Sequence, residues 1–243
     1  LETKQPVLTV QLPRGGHDSD LPFLVCELRR LAKGLSALSG VEPGESELRA
    51  AIEAEQAADR ELASLALNRA GVDLDDQSFY ALLRCREHMP AESFTELARS
   101  APRSDSAKTS GTPLMISGIV PEPMRVFEHI SEAGGRVVAD DLACCSRRLY
   151  PSDDLPAEGK DPYEHIARRL LGAPPDPTRG DPISVRASYI AERMERSGAK
   201  GLLVYDVKFC EPELFDLPML RRSLAARGFP LLHVEMDLEM KLP

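Results

Sequence analysis

The second half of the chain alternates short apolar runs with amphipathic stretches, and that alternation restricts the fold more than any other feature. Pro113–Ser117 reads as a strand and ends at Gly118. Pro123–Ala133 has helical spacing and stops at Gly134-Gly135. Arg136–Ala139 is a second strand, closed by Asp140-Asp141. Pro162–Leu171 and Ile183–Ser197 are helices that end at Gly172 and Gly198. Gly201–Val207 is a third strand, Phe215–Ala226 a helix before Gly228, and Pro230–Glu235 a fourth strand. A run that must return to the same sheet edge through a helix gives parallel strands with helices on both faces. Such crossovers are right-handed. The expected fold is α/β, a Rossmann-like or flavodoxin-like doubly wound parallel sheet.

A helical segment precedes it. Val7, Leu8, Val10 and Leu12 form an apolar, strand-like run broken by Pro13-Arg14-Gly15-Gly16. Leu24, Leu28, Leu31, Leu35 and Leu38 are spaced by three or four, predicting a helix over 21–38. Helices follow over 45–70, 76–88 and 91–99, a support layer in which Cys26 and Cys85 are expected to be packing residues. Ala101–Gly111 is almost free of apolar side chains and reads as a linker. The expected organisation is a strand plus helical segment over 1–100, a linker over 101–112 and a parallel α/β domain over 113–243.

Charge and cysteine usage narrow the function classes. The net charge of −9 opposes nucleic-acid binding, which needs a basic stripe. Hydrophobic runs fall short of the ~20 residues that span a bilayer. Five cysteines without a secretory pattern fit reduced cytoplasmic thiols better than a disulfide framework. The start at Leu1 without an initiator Met leads to the expectation that an upstream segment precedes this chain. Neither G-x-G-x-x-G nor the phosphate loop G-x-x-x-x-G-K-S/T is present, so those modes of binding nicotinamide or ATP find no support.

Open parallel sheets bind ligands beyond the carboxyl ends of their strands. Cys144 and Cys145 follow the second expected strand and Cys210 the third, so distant cysteines meet one rim. Three uses stay open at this point: a metal site, a catalytic thiol pair, or packing. Zinc prefers four ligands, and CxxC pairs are absent. Thiolates suit iron–sulfur clusters. Asp140-Asp141 is expected to cap the loop, with orienting it or serving as a base as the functional alternatives, Arg147 and Ser117 are candidate substrate contacts, and His129, His165 and His233 read as structural.

The stretch Val137-Val138-Ala139-Asp140-Asp141-Leu142-Ala143-Cys144-Cys145-Ser146-Arg147 resembles the "V-V-x-D-D-L-C-x-G-x-R" segment of the 2-hydroxyacyl-CoA dehydratase and benzoyl-CoA reductase family. Lys208-Phe209-Cys210-Glu211-Pro212 resembles that family's "K-F-C-D-P". Between them Arg186-Ala187-Ser188-Tyr189-Ile190 and Gly198-Ala199-Lys200-Gly201-Leu202 match in order, and Pro218–Leu224, Gly228, Pro230 and Glu235-Met236-Asp237 match its closing segment. One departure is clear. Aligned without a gap, the family cysteine after Asp-Asp-Leu falls on Ala143, with Cys144 and Cys145 just beyond.

The resemblance implies a subunit of an iron–sulfur enzyme. It implies a 4Fe–4S cluster with Cys144, Cys145 and Cys210 as candidate ligands, incomplete here because a further family cysteine lies in an N-terminal segment outside this chain. It implies an acyl-CoA substrate, a related second subunit and an ATP-hydrolysing iron–sulfur activator that delivers one electron. The expected reaction is radical dehydration of a 2-hydroxyacyl-CoA. The alternatives are a benzoyl-CoA reductase-type subunit and a non-catalytic scaffold whose own cluster site is degenerate.

Overall fold

Parallel strands need both faces covered, and the sequence supplies helices at the right intervals to do so. The computed structural model describes residues 6–14, 16–104, 110–150 and 161–237. Its elements are α1 (Asp20–Ser39), α2 (Glu45–Leu67), α3 (Asp76–Arg84), α4 (Ala91–Arg99), β1 (Thr112–Gly118), α5 (Val126–Glu132), β2 (Gly135–Leu142), α6 (Pro162–Leu171), α7 (Ile183–Ser197), β3 (Gly201–Val207), α8 (Glu211–Ala225) and β4 (Leu231–Met236). The chain divides into two units. One runs up to Gln56 and takes in Tyr150–Ala173; the other takes Ala57–Leu149 and everything from Pro174 onward.

In the first unit α1 packs on α6. Asp161 starts α6 by accepting from the Tyr163 amide at 3.0 Å, with Pro162 at the first helical position, where its missing N–H costs nothing. Arg29 reaches Asp161 at 2.7 Å and lies over the Tyr163 ring. The apolar run Val7–Leu12, expected as a strand, forms no ladder. It lies along α1 instead: Arg30 Nη2 donates to the Thr9 carbonyl at 2.6 Å and the Gln11 amide to Glu27. Without a partner strand its alternate side chains stay outside, with Val7 75% exposed. Cys26 is exposed on α1, which corrects its reading as a packing residue.

In the second unit the four strands are all parallel, in the order β2-β1-β3-β4. The chain builds outward from β1 to β2, then crosses back to β3 on the other side. That reversal places a topological switch point at the carboxyl ends of β1 and β3, the position at which such sheets bind ligands. One face carries a core of Met115, Ala139, Leu202 and Val204 against Ile190, Ala191 and Met194 of α7 and Leu220 and Leu224 of α8. Small Ala187 and Ala191 on α7 give that helix a close approach. Elsewhere in the unit Tyr80 of α3 stacks on Phe127 of α5 with ring centroids 4.6 Å apart. Asp75 caps α3 through the Ser78 amide. The start of the expected linker is held in place, by a bridge between Val72 and Arg103 and by the Ser104 amide on the Gly71 carbonyl; residues 105–109 lie outside those described. Half-buried Cys85 follows α3 in a 3-10 turn.

Gly118 closes β1 at φ 148°, where side chains are disfavoured. A Cβ there would collide with the Tyr205 carbonyl of β3. Close packing of β1 on β3 at the switch point therefore requires glycine. Gly118→Ala is expected to cost about 2–4 kcal/mol, because backbone must move on both strands. Urea unfolding of the two proteins checks this, and a loss comparable to an ordinary surface substitution would refute it.

Candidate functional site at the carboxyl edge of the sheet

Strand β2 runs further than its apolar pattern suggests and carries Asp140 and Asp141 inside the ladder, opposite Ile116 and Ser117 of β1. Alternation sends the two carboxylates to opposite faces. Both are buried.

Asp141 meets the α7–α8 side. Its oxygens accept from Ser117 Oγ at 2.9 Å, from Arg147 Nε and Nη2 at 3.2 Å, and from Arg186 Nη2 at 3.2 Å. Glu213 of α8 stands opposite and takes both guanidinium groups at 2.7 Å. Asp216 receives Arg186 at 3.1 Å, and Asp176 lies 3.5 Å from Arg147. Arg147, Arg186, Asp141 and Glu213 are all at most 2% exposed. Burial opposes ionisation of Asp141, but Arg147 and Arg186 outweigh it and hold the carboxyl below its ordinary value. Burial likewise disfavours charge on Arg147, and Asp141 and Glu213 overcome it.

Asp140 meets the α3 side. It accepts from the Leu142 and Ser146 amides at 3.1 and 2.9 Å and from Ser146 Oγ at 2.8 Å, so it caps the turn that follows β2. The Tyr80 hydroxyl donates to it at 3.3 Å. Burial raises the Asp140 carboxyl above its ordinary range, against Arg193 and these donors. Burial, and then the Asp140 charge, raises the Tyr80 hydroxyl strongly.

The same turn holds the cysteine pair. The Cys144 amide donates to Ile119 and the Cys145 amide to Leu142, and the two Sγ atoms lie 3.6 Å apart. Both side chains are buried. The hydrogen bond to Cys144, burial and the Asp140 charge push the Cys145 thiol well above its ordinary value. Cys210 sits across the edge at the start of α8, where its carbonyl accepts from the Leu214 amide. Burial raises its thiol too, with Glu213 and Asp206 adding to the effect. Phe209 before it takes φ 66° and is 87% exposed.

Cys144 and Cys145 are thus brought together, and Ser117 and Arg147 join Asp141 beside them. Among the described residues no three His, Cys, Asp or Glu side chains form a group able to hold a metal ion. The thiols match an iron–sulfur cluster in chemical kind. Among the described residues they do not match one in number and arrangement. A cavity of about 910 Å³, bordered by Arg69, Asp76, Gly111, Phe127 and Arg136, opens at the opposite, amino edge of the sheet and includes no cysteine.

The participants that went unread in the sequence include Arg186, Glu213 and Asp206. Their common signal is a charge on an apolar stripe. Arg186 falls between Ile183 and Ile190 on the buried face of α7, and Glu213 precedes Leu217, Leu220 and Leu224 on that of α8. Asp206 closes the apolar run of β3 with both carboxylate oxygens lacking a hydrogen-bond partner among the described residues. His233 Nε2 lies 3.6 Å away.

A family model described as 2-hydroxyglutaryl-CoA dehydratase, D-component, matches residues 1–241. The chain is 26% identical over 243 residues to lactoyl-CoA dehydratase subunit beta of Anaerotignum propionicum, covering 97% of this chain and 64% of that protein. It is 28% identical over 131 residues to the (R)-phenyllactyl-CoA dehydratase beta subunit of Clostridium sporogenes, covering 54% and 34%. It is 24% identical over 223 residues to a benzoyl-CoA reductase subunit of Thauera aromatica, covering 86% and 56%. The chain therefore spans less than two thirds of the length of each of these relatives. No helix among the described residues is long and apolar enough to cross a membrane.

Two outcomes follow from the geometry. Arg186→Met leaves Asp141 and Glu213 short of a buried counter-charge and is expected to cost about 3–5 kcal/mol in denaturant unfolding; a loss below about 1 kcal/mol would show the cluster to be dispensable. Asp206 has its carboxyl raised to about 6, first by burial and then by Glu213. A raised acid stabilises the fold in its protonated form, so that contribution is full below about pH 4 and fades as pH rises through about 6. Asp206→Asn is expected to gain roughly 2 kcal/mol at about pH 8 and little at about pH 4. Equal effects at both pH values would refute this.

Proposed function

Because the chain belongs to the 2-hydroxyglutaryl-CoA dehydratase D-component family, we propose that it is a subunit of an iron–sulfur 2-hydroxyacyl-CoA dehydratase. The reaction removes water from the thioester. The C–O bond at the 2-carbon and a C–H bond at the 3-carbon break, a carbon–carbon double bond forms, and an enoyl-CoA leaves. The observation that carries the reading is the convergence of both cysteine-bearing loops on the carboxyl edge, at the ends of β2 and β3 on either side of β1.

In this reading Cys210 and one of Cys144 and Cys145 are the thiols the chain offers toward a 4Fe–4S cluster, with further donors from outside the described residues. Arg147 and Ser117 act at one remove from substrate. Both are tied to Asp141, so they fix the turn that carries the cysteines. A related second subunit completes the acyl-CoA site, and an ATP-hydrolysing iron–sulfur activator supplies the electron. A second reading, a scaffold subunit whose own cluster site is degenerate, is favoured by Ala143, which stands where the family's segment has a cysteine after Asp-Asp-Leu.

Iron and acid-labile sulfide in the anaerobically purified full-length chain, together with its partner subunit, test the choice. The expected result is iron retained by the wild type, lost on Cys210→Ser, and turnover of an (R)-2-hydroxyacyl-CoA once the activator is added. An iron-free chain inside an active complex would establish the scaffold reading instead. Turnover of benzoyl-CoA alone would overturn dehydration.

A further inference from the structure

We propose that Cys144 and Cys145 form a two-electron redox site that closes to a disulfide between adjacent residues. Their Sγ atoms lie 3.6 Å apart, and among the described residues no other pair of sulfurs makes such a contact. The turn sets this encounter, since the amides of both residues are anchored, Cys144 on Ile119 and Cys145 on Leu142. Closing the bond to about 2.05 Å brings the two sulfurs together over a short distance.

The resulting bond is of the switching class. Adjacent Cα atoms are about 3.8 Å apart across a trans peptide. Ordinary disulfides span about 4.4–6.8 Å between Cα atoms. The eight-membered ring is therefore strained, and strained disulfides are readily reduced and serve as labile rather than structural links. An oxidant of the peroxide class completes the balance. Cys144, a residue 6% exposed where Cys145 is sealed, attacks a peroxide oxygen through its sulfur, becomes a sulfenic acid and releases water. The Cys145 sulfur then displaces hydroxide from that sulfur, and with the thiol proton it leaves as a second water. Two electrons pass from the thiols to peroxide.

The consequence reaches the buried ion cluster. The Cys145 carbonyl accepts from the Arg148 amide at 3.0 Å, Ser146 is bound to Asp140, and Arg147 is clamped by Asp141 and Glu213. Drawing Cys145 toward Cys144 pulls on the one turn that holds Arg147 in place. The redox pair stands on the sulfur contact and not on the dehydratase reading: a thiol engaged by a cluster cannot enter the disulfide, so the pair operates in the cluster-free chain and outlives that reading if it fails.

Peptide mapping of the full-length protein tests it. Trypsin releases Val137–Arg147, which carries both thiols and no other cysteine. After mild hydrogen peroxide and alkylation under denaturing conditions, that peptide is expected to lack two hydrogens and to resist alkylation. Dithiothreitol reverses this, while Cys26, Cys85 and Cys210 are alkylated in full. The reduced protein is also expected to bind one phenylarsine oxide, lost on Cys144→Ser and kept on Cys210→Ser. Full alkylation of Val137–Arg147 after peroxide would overturn the proposal. So would a link from either thiol to Cys210, or protection that tracks bound iron.

Discussion

Two guanidinium groups held between two buried carboxylates organise the carboxyl edge. Arg147 follows β2 and Arg186 belongs to α7; Asp141 belongs to β2 and Glu213 to α8. Apolar packing alone would let these elements slide, because dispersion and burial have no direction. The bidentate pair of Arg147 on Asp141 and the branched contacts of Arg186 to Asp141, Glu213 and Asp216 have direction, and they fix the turn after β2 against the first helical turn of α8. Removing such charges from water is costly, so the cluster is a device for position more than for stability. Ser117 at the end of β1 donates to the same carboxylate, which brings the central strand into the arrangement.

The cluster also sets the electrostatic character of the edge. Asp141, Glu213, Asp176 and Asp216 surround two arginines, and Asp140 and Asp206 add carboxyl groups on either side. Local charge is therefore on the acidic side wherever these groups ionise. The hydrogen bond to Cys144, burial and the Asp140 charge hold Cys145 as a thiol, and burial with the Glu213 and Asp206 charges holds Cys210 as one despite the Glu213 amide that points at it. An α-helix N-terminus normally favours a thiolate by presenting free N–H groups. At the start of α8 the burial of Cys210 and the carboxylates of Glu213 and Asp206 outweigh that help. A cation brought to this edge would reverse the balance, which couples any metal binding here to proton release.

The sheet was legible in the sequence because its signal is strong and redundant. Each apolar run of the second half is a strand, and each amphipathic stretch between glycines is a helix. The placement of Cys144, Cys145 and Cys210 on one rim followed from topology alone, since parallel strands send their following loops to the same side. Strand ends were harder. Apolar periodicity stops at Ala139, yet β2 continues through Asp140, Asp141 and Leu142 because buried partners replace water for those carboxylates. The Val7–Leu12 run shows the reverse error. Its pattern fits a strand, but a strand exists only by pairing, and α1 offers side-chain hydrogen bonds instead of an edge.

The candidate site was legible in outline and hidden in its most constrained part. Arg186 and Glu213 carry the long-range geometry, and each sits on a helix face whose other members are apolar. Periodicity treats such a charge as noise, because one residue barely alters a stripe of four or five. Physically it is the opposite of noise: a charge on a buried stripe survives only with a partner, so two such charges on neighbouring helices imply one another. Read that way, Arg186 on α7 requires a buried acid within reach, and Asp141 and Glu213 are the acids that meet it. The same rule applied to Asp206 finds, among the described residues, no donor on a facing strand beyond His233 at 3.6 Å, and its raised carboxyl is the result. A partnered buried charge thus fixes the architecture of this edge, and one with no hydrogen-bond donor among the described residues makes its stability depend on pH.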